Sequence, residues 1–256
     1  RFGFGGRPRP ATGTERKVKI NVSTGGGVGY VVKCLLGHQT ISTKLTLPWI
    51  LSWRPIARPV VCQRCWATFA PIQRATACPG CGRSQSRPQL CADCQRWPLN
   101  QAFKNIALFD YNDAMHAYFQ RYKFQGDYQL RRVFQIPLQR TVTRLAGDLV
   151  LSIPVTPATM TTRGFNQVTG WLTDGENQPG IMTKAQIKAK AQSQKDRSAR
   201  LATPQPFQLV TTQVRVQDRH VVLVDDIYTT GRTIRHAAQL ILESGAKSVT
   251  GLTLAR

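Results

Sequence analysis

The sequence predicts an α/β protein: a parallel sheet with helices over residues 99–256, preceded by a small cysteine-rich module over residues 34–98. Three observations carry this. Past residue 99, short apolar runs of strand length alternate with stretches whose apolar residues recur at helical spacing, as strand–helix–strand units require. All seven cysteines lie at or before Cys94, and six of them form C-x-x-C pairs. Residues 1–33 carry GFGGRPRP and STGGGVG, little apolar periodicity and a net +6, which predicts disorder or a foreign extension.

In chain order, residues 34–98 are punctuated by Pro and Arg and predict loops with short hairpins. NIALFDY (Asn105–Tyr111) reads as a strand. In NDAMHAYFQRYKF, Met115, Tyr118, Phe119 and Tyr122 fall at helical spacing behind Asn112, a good N-cap residue. A second helix is expected over Gln129–Gly147. DLVLSIPV (Asp148–Val155) reads as a buried strand ended by proline, and a helix is expected to start near Asn166. Residues 173–206 are polar, basic and poorly patterned. HVVLVDD is another buried strand, Thr233–Ala246 an amphipathic helix stopped by Gly245, and KSVTGLTLAR a closing strand.

The cysteines point to metal. C-x-x-C is a tight turn that aims two sulfurs at one centre, and two such turns complete a tetrahedral thiolate shell for zinc. CPGC and CADC supply Cys78, Cys81, Cys91 and Cys94, with nine residues between the pairs. Cys62 and Cys65 then need two more ligands, and Cys34 with His38 is the available pair; the competing arrangement groups Cys62/Cys65 with Cys78/Cys81 and leaves Cys91/Cys94 unexplained. Structural zinc would contribute ~10–16 kcal/mol of folding energy to a segment poor in apolar residues. Free thiols in this number suit a reducing, cytoplasmic compartment better than a disulfide framework.

Charge is the strongest bulk signal: 35 Lys and Arg against 13 Asp and Glu, a net +22. Residues 1–98 hold 15 basic and 2 acidic groups, and between Cys34 and Pro98 the only acid is Asp93. A field of that sign attracts polyanions, above all nucleic acid. No apolar run is long enough to span a membrane; TLPWILSW (Thr46–Trp53) is far too short.

Against that background VVLVDDIYTTGRT (Val221–Thr233) stands out, because two adjacent carboxylates precede a turn rich in Thr and Gly. Ligands of open α/β sheets sit beyond the carboxyl ends of the strands, where Asp225 and Asp226 fall. Thr229–Thr233 lead into a helix N-terminus, whose N–H groups and partial positive charge suit a phosphate monoester. Thr229, Thr230 and Thr233 add hydroxyls, Gly231 permits close backbone approach, and Arg232 offers a cation. Carboxylates beside such a loop make sense if the ligand carries hydroxyls or a metal next to its phosphate, as a ribose 5-phosphate with Mg²⁺ does.

This stretch resembles the 5-phosphoribosyl-1-pyrophosphate (PRPP)-binding signature of type I phosphoribosyltransferases. With RYKFQGDYQL (Arg121–Leu130), IPVTPATMTTRGFNQ (Ile153–Gln167), AQSQKDRSARLATPQPF (Ala191–Phe207) and GAKSVTGLTLAR, the chain resembles the ComF-type late-competence proteins over about residues 34–256. The resemblance implies a phosphoribosyltransferase-like core behind a double zinc ribbon-like module. It implies Asp225, Asp226 and Thr229–Thr233 as the PRPP loop, Arg163 on the pyrophosphate side, and Gln192 and Arg200 over the site. It also implies single-stranded DNA and a competence helicase as partners; the alternative is an active phosphoribosyltransferase with an unknown acceptor. No catalytic residue is identified. The chain departs from the family at Gly37, where a cysteine is usual, and at Thr203, where asparagine is frequent.

Overall fold

The computed structural model describes residues 19–22, 28–45, 51, 59–97, 103–173, 177–178, 180–183, 205–211 and 213–256. The chain divides into two compact units, Arg1–Thr68 and Phe69–Arg256. The cysteine-rich stretch, expected as one module over residues 34–98, is thereby shared between them.

In the first unit, β1 (Lys19–Val22), β2 (Val28–Lys33) and β3 (Thr40–Leu45) form an antiparallel sheet in that order. Two of these strands lie within the residues expected to be disordered. KINV and VGYVVK are short, but β1 pairs with β2 (Ile20↔Tyr30) and β2 with β3 (Tyr30↔Thr43), a ladder that the glycine-rich flanks conceal in the sequence. Cys34 opens the β2–β3 turn, where its N–H donates to the Gln39 carbonyl (2.7 Å) and its own carbonyl accepts from His38 N–H (3.1 Å). A helical turn, α1 (Gln63–Trp66), starts from Cys62.

The second unit contains a short helix α2 (Ala92–Gln95), then β4 (Phe103–Phe109) and α3 (Asp113–Phe119). The Asn112 side chain caps α3 by accepting from Met115 N–H at 3.0 Å, as the sequence predicts. α3 runs directly into a π-helical turn, Gln120–Phe124. After a 3₁₀ turn come α4 (Arg131–Leu145) and β5 (Leu149–Ser152), close to their expected places.

The helix expected near Asn166 starts earlier, as α5 (Pro157–Arg163). The Thr156 hydroxyl accepts from Thr159 N–H at 3.1 Å, Pro157 occupies the first turn where it needs no N–H partner, and Gly164 at φ 81° ends the helix. Asn166 instead braces the following loop. Its side chain donates to the Ile153 carbonyl (3.0 Å) and accepts from Val168 N–H (2.8 Å).

The polar stretch 173–206 lies largely outside the described residues, Gln192, Arg200 and Thr203 included. Within it lies β6 (Ile181–Thr183), which pairs antiparallel with β7 (Phe207–Leu209) just beyond it. The chain then forms β8 (His220–Ile227), α6 (Arg232–Glu243) and β9 (Ser248–Ala255).

β4, β9, β8 and β5 form one parallel sheet in that order. All carboxyl ends therefore emerge on one side, bringing together Tyr111, Asp225–Tyr228 and Arg256. Leu151, Leu223, Ile234, Ala237 and Ile241 pack one core, which Cys78, Cys81, Cys91 and Cys94 share. Aromatic rings form another packed group, with Phe134 centred 4.9 Å from Phe69, 5.1 Å from Phe109 and 4.8 Å from Tyr118. No helix among the described residues is long and apolar enough to cross a membrane.

Leu223 is fully buried in the central strand β8. Leu223→Ala is expected to destabilise the second unit by about 2–5 kcal/mol, because it removes transfer energy and leaves a cavity. The check is a lowered urea midpoint at unchanged slope.

Candidate functional site

β8 ends in the two carboxylates. Asp225 is buried, with one oxygen accepting from Asp226 N–H at 2.8 Å. Burial, and then the neighbouring Asp226 charge, push its carboxyl well above the usual carboxylate range. Asp226 is half-buried, and its Oδ2 accepts from Lys123 Nζ (2.6 Å) and Gln167 Nε2 (2.5 Å). Lys123 comes from the π-helical turn, and its ammonium also lies 4.3 Å from the Phe119 ring centroid.

Arg163, expected on the pyrophosphate side, closes this network. Its Nε donates to the Lys123 carbonyl (3.0 Å) and its Nη1 to Gln167 Oε1. Tyr122 Oη donates to the Gln167 carbonyl (2.9 Å). Two of the pieces that carry the family resemblance, RYKF and RGFNQ, thus converge on one carboxylate. Lys123 and Gln167 lie within those motifs, but nothing local in the sequence pairs either with Asp226.

The turn after β8 is held on both sides. Thr229, Thr230 and Thr233 are exposed, Arg232 is half-buried, and Gly231 is buried with φ 77° just ahead of α6. A side chain at Gly231 would drive its Cβ into the Tyr228 hydroxyl, so glycine serves here for both conformation and space. Tyr228 is itself gripped by two arginines. Arg235 Nε donates to its hydroxyl (2.7 Å), and Arg256 Nη1 donates to its carbonyl (3.0 Å) and to that of Thr229.

The same arginines reach the second cysteine group. Cys78, Cys81, Cys91 and Cys94 are buried and their sulfurs lie within 4.8 Å of one another, so they could hold a metal ion. Arg256 Nε approaches Cys81 Sγ at 3.4 Å and Arg235 Nη2 approaches Cys94 Sγ at 3.7 Å. Cys91 N–H points at Cys78 Sγ from 3.3 Å. The Cys81 thiol is pulled down, first by the hydrogen bond with Cys94 and then, against the cost of burial, by Arg256. Asp93, the lone acid of this basic stretch, bridges Arg83 (2.6 Å) and Arg256 (3.3 Å).

In the first unit Cys34, Cys62 and Cys65 also bring their sulfurs within 4.8 Å of one another. Cys78/Cys81 already group with Cys91/Cys94 within the second unit, against the competing arrangement. His38, expected as fourth ligand, does not join within that distance. It is exposed and has a left-handed backbone (φ 57°), at the end of the turn. The residue that approaches is Gly37. Its N–H points at Cys34 Sγ from 3.4 Å, and a Cβ there would lie 2.8 Å from Cys65 Sγ.

Comparison with known proteins agrees with this architecture. The family described as "Phosphoribosyl transferase domain" matches residues 181–256, the segment that runs from β6 through the β8–α6 turn to β9. Competence protein ComFC of Streptococcus pneumoniae is 36% identical over 226 residues, 88% of this chain and 100% of that one. Competence protein ComFC of Bacillus subtilis is 30% identical over 241 residues, 91% of this chain and 98% of that one. DNA utilization protein YhgH of Salmonella typhimurium is 29% identical over 212 residues, 77% and 90% of the two chains. The second unit carries a phosphoribosyltransferase-type domain. The chain belongs to the ComFC family of competence proteins.

Two expectations follow. Lys123 and Asp226 expose only 11% and 13% of their side chains, so Lys123→Met leaves a nearly buried carboxylate without its cation. We expect a loss of about 3–5 kcal/mol, largely recovered in the Lys123→Met/Asp226→Asn double variant, from a double-mutant cycle of urea unfolding. Gly37→Cys should add a fourth thiolate to the first group. Chelator competition should then show its Zn²⁺ affinity rising about tenfold or more, an added ligand being worth more than about 1.4 kcal/mol.

Proposed function

We propose that this chain is a cytoplasmic protein of DNA uptake, whose second unit binds PRPP or a related ribose 5-phosphate and whose basic cysteine-rich stretch binds single-stranded DNA. The observation that carries the reading is the end of β8: two carboxylates, then a turn through Gly231 into the N-terminus of α6. In this arrangement Thr229–Thr233 take the phosphate through backbone N–H groups and hydroxyls. Asp225 and Asp226 take the ribose hydroxyls and favour Mg²⁺ beside them. Gln167 and Lys123 orient Asp226, and Arg163 orients Gln167, so Arg163 acts on the anion side through the residues it braces. Bound Mg²⁺ would offset the charge of the pyrophosphate arm.

The four buried cysteines fit zinc. A tetrahedral Zn–S distance of about 2.3 Å sets sulfurs about 3.8 Å apart, and Cys81 and Cys91 stand at 3.6 Å. Support for DNA comes from the charge of residues 34–98, the exposure of Arg74, Arg83, Arg87 and Arg96, and the names of the competence and DNA-utilization relatives. A competence helicase is the partner such a protein would serve.

Titration calorimetry tests the pocket. Wild-type protein is expected to bind PRPP with Mg²⁺ at least about tenfold more tightly than Asp225→Asn/Asp226→Asn, a difference of about 1.4 kcal/mol. Equal affinities overturn the ribose assignment, and release of pyrophosphate when bases are added would convert binding into catalysis. A labelled single-stranded oligonucleotide tests the DNA reading. Log affinity should fall with log salt by roughly 0.7 per phosphate neutralised, and an affinity indifferent to salt rejects it.

A further inference from the structure

We infer that the Cys78/Cys81/Cys91/Cys94 centre is the electrostatic anchor of the phosphate loop, and that Arg235 and Arg256 couple its metal occupancy to ribose-phosphate binding. The inference rests on the reading just given, zinc in the centre and a ribose phosphate on the loop, and names how that site is regulated.

Four thiolates around Zn²⁺ carry a net charge of about −2. Two guanidiniums touch that centre, Arg256 at Cys81 and Arg235 at Cys94. Arg256 exposes 5% of its side chain, so its charge requires a counter-charge nearby. Asp93 supplies part of it but is shared with Arg83. The thiolate centre supplies the rest.

Other donors of both arginines go to the loop. Arg256 binds the carbonyls of Tyr228 and Thr229 at the loop's start, and its guanidinium lies 4.8 Å from the Tyr228 ring centroid. Arg235 sits on the first turn of α6, its N–H bonded to the Gly231 carbonyl (2.9 Å), and its guanidinium binds Tyr228 Oη. The Tyr228 ring fills the space beside Gly231. Entry and exit of the loop are therefore both fastened by cations whose counter-charge is the thiolate centre. Removing the metal removes what gathers the four sulfurs, so the partners that hold Arg235 and Arg256 in place are no longer fixed. The loop then loses its fixed shape, while the strands behind it keep their apolar core.

Coupling of this kind is reciprocal: the factor by which zinc strengthens ribose-phosphate binding is the factor by which ribose phosphate strengthens zinc binding. In the full-length protein, chelator competition with and without saturating ribose 5-phosphate is expected to show zinc held about tenfold more tightly with the sugar phosphate, within the roughly 5–150-fold range of such couplings. Arg235→Gln and Arg256→Gln should bring that factor towards one, and Arg256→Lys, which keeps the charge, should retain much of it. Equal zinc affinity in both conditions for a wild-type protein that does bind ribose 5-phosphate overturns the coupling.

If calorimetry finds that zinc-loaded protein binds no ribose 5-phosphate, the ligand assignment fails, and hydrogen exchange without ligand still decides the anchor. Removing zinc should speed amide exchange across Tyr228–Thr233 and leave Leu149–Ser152 protected. Loop exchange indifferent to zinc, or equal loss of protection in both segments, rejects the anchor.

Discussion

A charge that ends up inside this fold has to meet its opposite there, and most of the polar architecture of the second unit follows from that requirement. β8 runs between β9 and β5 and delivers two carboxylates to the edge of an apolar core. Left alone they would repel each other and resist burial. Lys123 and Gln167 meet one of them, Arg163 fixes Gln167, and Asp225 is pushed towards its neutral form. At the neighbouring strand end the signs reverse: Arg256 and Arg235 are the enclosed charges, and sulfur and Asp93 surround them. The two clusters are complementary solutions to one electrostatic problem, and Tyr228 and its loop lie beside the second.

Much of this unit was readable from its residues. The strands around VVLVDD and SVTGLTLA, the Asn112 cap and the amphipathic α6 are local features, and local pattern located them. The carboxylate–loop juxtaposition was also legible, because strand polarity and the strand-to-helix order place it. What stayed hidden was long-range. Nothing local links Lys123 to Asp226, or Arg256 to Cys81, since those pairings exist only once the parallel sheet aligns its strand ends. α5 starts before its expected place because Thr156 and Pro157, just after the strand-ending proline of VLSIPVTP, together open a helix. β1 and β2 were concealed by glycine-rich flanks, since a short strand is stabilised by its partner more than by its own periodicity.

The cysteines show the same division. Spacing alone predicted the group of Cys78, Cys81, Cys91 and Cys94, because each C-x-x-C turn carries its own geometry. The other group depended on which residue the β2–β3 turn aims inward. Spacing offered His38 as the available ligand, whereas the turn's geometry brings Gly37 to Cys65. A ligand set assembled across a turn is decided by backbone handedness at one residue, which composition does not encode.

The π-helical turn at Gln120–Phe124 gives the chain an unusual kind of register mark. Such a turn is one residue wider than an α-helical one, the footprint of a single inserted amino acid. Its removal would rotate everything downstream by roughly 100° about the helix axis and swing Lys123 away from Asp226. The ammonium that neutralises the carboxylate is thus aimed by a miscount in the helix. A chain of this fold without the extra residue would have to neutralise its second aspartate from another part of the chain.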